Sequence, residues 1–424
     1  MALDDPLGCG PFDIGDGPLM PDRHIMETGH VSPEVYLSNE RFAEERALFR
    51  SVWLLVGRTN DVPERNDWVV REIAVCSTSV LIVHGGDGEI RAFHNFCPHR
   101  GTKLVWGEAK GCSPQFICPY HAWSFGTDGA LRHVPDRSAF PLLDEKTSGL
   151  APIALEVWNG FIFVNLDAEP KQTLAEFLGE TGELIGKIPF DEFDYCLRMT
   201  NLIDGNWKAG LEAASEGYHI QALHKNSVKE MVCSKANPYV RPLSTVFRGA
   251  HRQMAAPNNP EFRPSERRPV QKLVFECVPY MVVSESGQSD LMVPGMNHDN
   301  SKDWAVDLFA LFPNTILHVA LNGFYTFQYW PIEPGKYLWE ARMYYRNAPR
   351  SRREEFGIHG TAAFNRDIST EDATCIESQQ VAFASGAKPY IQFGESELLC
   401  RHQAALIEAY VNDRAARANS GSPK

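Results

Sequence analysis

Apolar positions follow two different periods along this chain. Between Leu54 and Asn165 they alternate in short runs: WVVREIAV, TSVLIVH, EIRAFHNF, QFICPYH and GFIFVNLD. Gly, Asp and Pro separate these runs, as in Gly85-Gly86-Asp87-Gly88. The pattern predicts short antiparallel strands in a small sandwich. Ahead of them, Pro33 to Trp53 puts Phe42, Leu48, Phe49 and Trp53 on one helical face, with helix starts at Ser32-Pro33-Glu34 and Ser38-Asn39-Glu40. Residues before about 30 are rich in Gly and Pro and read as an irregular arm.

Beyond Asp167-Ala168-Glu169-Pro170 the composition changes. A helix is expected over Thr173–Gly186, then a strand over CLRMTNLI and a helix over GNWKAGLEAASEGYHIQALH. Residues 234–270 are polar, basic and interrupted by prolines, which suggests a long surface loop or lid. Strands are expected again between Leu273 and Tyr345, with a hairpin, FYTFQYW to YLWEARMYYR, around the Pro331–Lys336 turn. Ser351–Phe383 and Glu397–Ala415 read as helices, and Ala416–Lys424 as a disordered tail.

The stretch from Asn95 to Phe125 carries chemistry. Cys97-Pro98-His99 is followed, after 18 residues, by Cys118-Pro119-Tyr120-His121. Two loops that each bring one thiolate and one imidazole are what a [2Fe–2S] centre of the Rieske type needs. The prolines after both cysteines stiffen the tips. Cys₂His₂ is also a zinc set, but zinc fingers keep the cysteines together and the histidines together.

A second candidate lies after Asn206. Glu216 and His219 are i,i+3 and share a helix face. His224, five residues beyond His219, reaches the same ion only if the helix is bulged. Two imidazoles and a carboxylate form the facial triad of non-haem Fe(II) oxygenases. On spacing alone, ordinary core or surface histidines explain H-x₄-H equally well.

Composition narrows the partners. The 424 residues suffice for two or three domains. Forty-one basic against 54 acidic residues give −13, which argues against nucleic acid and would repel most ferredoxins in the absence of a basic patch. Of ten cysteines, the eight outside the motif show no framework spacing, so free buried thiols in a reducing cytosol are expected. Neither a secretory signal nor an apolar run long enough for a membrane span is visible, and the expected location is cytoplasmic.

Together the motifs resemble the alpha (terminal oxygenase) subunits of Rieske non-haem iron ring-hydroxylating oxygenases, over roughly residues 40 to 400. The first motif shares Arg100-Gly101 and Trp123-Ser124-Phe125 with that family and departs at Ala122, where glycine is usual. The added methyl is expected to affect loop packing only slightly. The second shares Asn206-Trp207-Lys208, Glu212-Ala213, Glu216-Gly217-Tyr218-His219 and His224. The resemblance implies an α+β chain: an arm and helix over 1–45 packing on the catalytic domain, an antiparallel β-sandwich Rieske domain over 46–165, and a helix-grip (START-like) catalytic domain over 166–424. It implies one Rieske [2Fe–2S] cluster on Cys97, His99, Cys118 and His121, and one mononuclear Fe(II) on His219, His224 and Asp372. Asp372 is the matching position within Glu371-Asp372-x₄-Glu377-x-Gln379, with Glu371 as its competitor. Glu216 would bridge a cluster histidine of one subunit to an iron ligand of the next. Most members carry aspartate there, and quaternary-ammonium monooxygenases of the family carry glutamate.

The resemblance further implies a homotrimer, with or without a beta subunit, that uses O₂ and electrons from a separate reductase or ferredoxin. The sequence itself has no G-x-G-x-x-G after a strand and no cysteine set for a plant-type ferredoxin. The substrate pocket is expected from the catalytic helix, the 234–270 loop and the strands between Leu308 and Trp330, whose apolar character favours an aromatic or otherwise apolar small molecule. Phe324, Tyr325, Phe327, Tyr329 and Trp330 offer the alternative of a cation–π cage for a quaternary amine. A Rieske electron carrier or ligand-binding protein without catalytic iron is the competing class.

Overall fold

The alternating runs fold as antiparallel strands in each of two units, Arg46–Phe177 and Met1–Glu45 with Leu178–Lys424. The computed structural model describes residues 30–277, 291–320 and 323–420, the side chains of 413–420 excepted, so the expected N-terminal arm lies outside the described residues.

In the smaller unit the strands are β1 (Leu54–Arg58), β2 (Asp67–Ile73), β3 (Thr78–His84), β4 (Ile90–His94), β5 (Lys110–Cys112), β6 (Gln115–Ile117), β7 (Ser124–Gly126), β8 (Leu131–His133), β9 (Pro152–Trp158) and β10 (Phe161–Asn165). Seven of them order as β1-β10-β9-β4-β3-β2-β5, and β6-β7-β8 form a separate sheet. Inward residues such as Val70, Leu81, Val83, Phe93, Phe116 and Phe125 make one core, and Cys97 and Cys118 belong to it. That placement withdraws both sulfurs from water.

In the larger unit β11 (Tyr195–Ile203), β12 (Ser244–Arg248), β13 (His251–Pro257), β14 (Trp304–Leu311), β15 (Thr315–Ala320), β16 (Gly323–Glu333) and β17 (Lys336–Tyr345) order as β11-β17-β16-β15-β14-β13-β12. The hairpin read around Pro331–Lys336 is β16–β17, with Phe324 opposite Tyr344 and Tyr329 opposite Trp339. The helices are α1 (Asn39–Ser51), α2 (Leu174–Ile185), α3 (Trp207–Ala213), α4 (Ile220–Leu223), α5 (Lys229–Val232), α6 (Pro269–Cys277), α7 (Arg352–Ala384) and α8 (Leu398–Ser420). Ser351 caps α7, its hydroxyl accepting from Glu354 N at 3.2 Å. No helix among the described residues is long and apolar enough to cross a membrane.

Four expectations need correction. The 234–270 segment is not a lid throughout: 244–248 and 251–257 are paired strands of the large sheet, and the polar residues that obscured them, Ser244, Thr245, His251, Arg252 and Gln253, are themselves buried. Leu273 lies in α6 rather than in a strand, and residues 278–290 lie outside the described residues. The last helix runs on through Ser420, five residues into the expected tail. The thiols outside the motif are not uniformly buried, since Cys112, Cys196 and Cys375 are exposed.

Candidate functional site

Two constellations stand out, one in each unit. In the smaller unit Cys97 N donates to Thr102 O at 2.8 Å and Gly101 N to Cys97 O at 2.9 Å. The second loop repeats the pattern, with Cys118 N to Trp123 O at 2.8 Å and Ala122 N to Cys118 O at 3.0 Å. Both turns need a left-handed residue four places after the cysteine, met by Gly101 at φ +77° and Ala122 at φ +57°. The His99 and His121 ring centroids lie 4.7 Å apart, and His99 stacks on Trp123, also at 4.7 Å.

The donor chemistry fits a histidine-ligated cluster. Burial pushes the Cys97 thiol up to about 11, helped by the Cys118 sulfur beside it. Unligated, Cys97 therefore holds a neutral thiol, whereas ligation to iron would keep it as a thiolate. Burial, then His121 and Arg100, lower the pKa of His99, whose buried Nδ1 has no hydrogen-bond partner. Two adjoining sulfurs and two imidazoles are the mixed ligand set that distinguishes Rieske centres.

In the larger unit the expected single helix is broken. Asn206 caps α3, its Oδ1 accepting from Lys208 N at 2.9 Å. Gly210 lets α3 pack closely on the sheet, where a Cβ would meet the rings of Tyr337 and Tyr329. The chain leaves helix after Ala213 and resumes only at Ile220, with His219 and His224 flanking the short α4. A break rather than a bulge thus brings the two imidazoles together, their Nε2 atoms 3.1 Å apart. Glu216 supports the turn: it accepts from Tyr218 N, from His219 N at 3.2 Å and from His219 Nδ1.

Asp372 comes from α7. Its Oδ1 lies 3.0 Å from His224 Nε2 and 3.5 Å from His219 Nε2, and that buried oxygen has no hydrogen-bond partner. The ligand atoms of His219, His224 and Asp372 all fall within 4.8 Å of one another. Glu371 points elsewhere, accepting from His224 Nδ1 at 2.7 Å and from Ser227 Oγ at 2.5 Å. With Nδ1 of each histidine bonded to a carboxylate, both Nε2 lone pairs face one another, an arrangement that a cation resolves. Burial opposes charge on His224, yet Asp372 and Glu371 raise its pKa overall. The residues fit a mononuclear metal with two nitrogens and one oxygen.

A cavity of about 170 Å³ opens beside these three residues. Val228, Val232, Met254, Val306, Leu308 and Phe327 are among the apolar residues lining it. Asn365, Ile368, Ser369, Asp372 and Ile376 present one face of α7 to it, at helical spacing. No lysine or arginine lines it among the described residues. Of the five aromatics considered for a cage, only Phe327 and Tyr329 reach the cavity. Phe324 instead stacks on Tyr344 at 4.6 Å, as a core cross-strand pair. The sequence reading does not single out Ser227, His318, Tyr337, Trp339 or Asn365: strand register reveals His318, Tyr337 and Trp339, the α7 face reveals Asn365, and the bond to Glu371 reveals Ser227.

Comparison with known proteins shows the family. The Rieske [2Fe-2S] domain pattern matches residues 52–150, and that of the ring hydroxylating alpha subunit (catalytic domain) matches 187–413. A Rieske domain joined to this catalytic domain defines an oxygenase alpha-subunit architecture, with a [2Fe–2S] cluster in the first and a mononuclear iron in the second. The chain belongs to the ring-hydroxylating alpha-subunit family. It is 31% identical over 200 residues to the carnitine monooxygenase oxygenase subunit of Escherichia coli (strain K12), covering 47% of this chain and 53% of the relative. The chain spans about half the length of the curated relatives it matches. Two solved structures share the fold. A quaternary ammonium Rieske monooxygenase in complex with gamma-butyrobetaine has TM-score 0.69 at 20% identity, over 91% of this chain and 96% of that one. Naphthalene 1,2-dioxygenase from Rhodococcus sp. bound to indole has TM-score 0.72 at 19% identity, over 92% and 98%.

Proposed function

We propose that this chain is the terminal oxygenase of a Rieske non-haem iron system, acting on an aromatic or otherwise apolar small molecule with O₂. The observation that carries the reading is the convergence of His219, His224 and Asp372 beside an apolar cavity. An electron carrier without catalytic iron has no use for that convergence. When bound, the cluster supplies single electrons, and the mononuclear iron offers open positions for O₂.

The protein's own groups divide the remaining work. Cys97, His99, Cys118 and His121 would hold the cluster, and His219, His224 and Asp372 the iron. Glu216 fixes His219 in the Nδ1–H tautomer. Glu371, itself held by Ser227, does the same for His224 and is a positioning carboxylate rather than a ligand. In a ring of subunits His121, or His99, of a neighbour would donate its ring N–H to Glu216. The apolar walls exclude water from the reacting centre. Such a bridge requires a head-to-tail ring, here a homotrimer, fed by a separate reductase or ferredoxin. The free thiols suit a reducing cytoplasm.

A second reading, oxidation of a quaternary amine, draws support from the carnitine monooxygenase relative, from glutamate at position 216, and from Phe327, Tyr329 and Trp339 on the cavity wall.

The test is EPR of anaerobically purified, dithionite-reduced protein with iron quantified on the same sample. The expected result is a rhombic cluster signal with one iron per chain beyond the cluster. Asp372→Ala loses that extra iron and keeps the signal. Glu216→Gln keeps both metals while product formation falls roughly 10–100-fold. Unchanged turnover in Glu216→Gln would sink the bridge, and the absence of any extra iron would sink the oxygenase.

A further inference from the structure

One cavity-lining group takes no part in the metal chemistry. His318 sits on β15, opposite Leu308 of β14 and Tyr325 of β16. Its Nε2 is buried with no hydrogen-bond partner among the described residues, and its ring lies 4.7 Å from that of Phe327. Met254, Val306, Leu308 and Phe327, which line the same sheet wall, offer it no N–H or O–H. Buried polar atoms are rarely left unpaired, and at the wall of a ligand cavity the missing partner is a ligand atom.

The electrical state of the ring supports this. Burial alone lowers its pKa to about 4, so the imidazole is neutral near pH 7. A neutral ring presents one N–H and one lone pair, which suits an uncharged hydroxyl, carbonyl or amine. Among the described residues the cavity wall also carries no lysine or arginine to pair with a carboxylate, as a zwitterion would require. Its volume of about 170 Å³ is that of a single ring, given that a cavity of ~150 Å³ holds benzene.

We propose that His318 is the specificity-determining residue of this site, hydrogen-bonding the one polar group of an otherwise apolar, uncharged, single-ring substrate. The proposal rests on the cavity being the substrate site of an oxygenase.

The experiment measures binding of phenol, toluene and glycine betaine to the full chain as purified, by calorimetry without reductant or reductase. Phenol and toluene differ only in a hydroxyl against a methyl of similar size, so the change in their affinity ratio between wild type and variant isolates the hydrogen bond. That ratio is expected to be about tenfold more favourable to phenol in the wild type than in His318→Leu. His318→Gln, which keeps a donor and an acceptor, restores most of it. An equal ratio in wild type and His318→Leu overturns the proposal, as does failure of both rings to bind or tighter binding of glycine betaine than phenol. Iron counted on the same samples keeps the two readings apart. Loss of the extra iron removes the oxygenase, whereas the phenol ratio reports on His318 alone.

Discussion

Ala122 shows how a single residue carries a cost that its side chain does not reveal. The methyl is exposed, so the expectation of little effect on packing holds. The backbone is the issue, because Ala122 occupies the left-handed turn position that Gly101 fills in the companion loop. An L-residue there costs about 1–2 kcal/mol, offset in part by the smaller entropy alanine loses on folding. Ala122→Gly should therefore stabilise the smaller unit by about 0.5–1 kcal/mol, with the cluster EPR signal unchanged. Ala122→Val should destabilise it by more, since branching at Cβ makes φ > 0 a genuine outlier. Thermal melts of the two variants decide it, and a glycine variant that melts lower than wild type refutes the strain argument.

At the scale of elements, the Asn206-Trp207-Lys208 motif proves to be a clamp between α1 and α3. Trp207 Nε1 donates to Glu45 Oε2 at 2.8 Å, and Lys208 Nζ pairs with the other oxygen of the same carboxylate. Both charged side chains are almost wholly buried, and Lys208 also lies over the Tyr36 ring. Lys208→Met leaves the buried Glu45 carboxylate with Arg41, its Nε 3.8 Å away, as the remaining counter-charge, so the cost in denaturant unfolding of the larger unit should lie at the lower end of about 3–5 kcal/mol. A loss below about 1 kcal/mol would show that the pair contributes little. This role was hidden in the sequence, where the three residues read only as the start of an iron motif. Legibility followed locality. The Cys97–His121 loops were readable because a cysteine and a histidine two or three residues apart declare their own turn. The broken helix was not, because strong helix formers such as Ala213 and Ala214 precede a turn held by the Glu216 side chain. His318 was out of reach, since its partnerless nitrogen depends on the register of β14, β15 and β16. The resemblance alone favours Asp372 over Glu371, and the physical ground that separates them, Ser227 engaging Glu371, depends on contacts distant in sequence.

For the whole molecule, buried ionisable groups set how stability follows pH. Glu212 is buried in the larger unit, accepts from Tyr36 Oη at 2.7 Å, and has its carboxyl pushed by burial up to about 8. Its folded-state value thus lies above the usual 4.5. The folded chain keeps a proton that the unfolded chain releases, so the stabilisation is complete below pH 4.5 and is lost as pH rises towards 8. Histidines lowered by burial, among them His318 to about 4 and His402, work in the opposite sense. They are neutral when folded and take up protons on unfolding only below about 6.5, so they lower stability on the acid side. The two effects oppose each other below pH 6.5, and above it the Glu212 contribution is no longer countered by them. At about 1.4 kcal/mol per pH unit, Glu212 alone should remove about 2 kcal/mol between pH 6.5 and 8. Glu212→Gln keeps an acceptor for Tyr36 and cannot titrate, so the difference between the wild-type and variant unfolding curves across that interval isolates the carboxyl. Parallel curves would mean that Glu212 is already ionised in the folded protein, its charge balanced by Lys208 and Arg252.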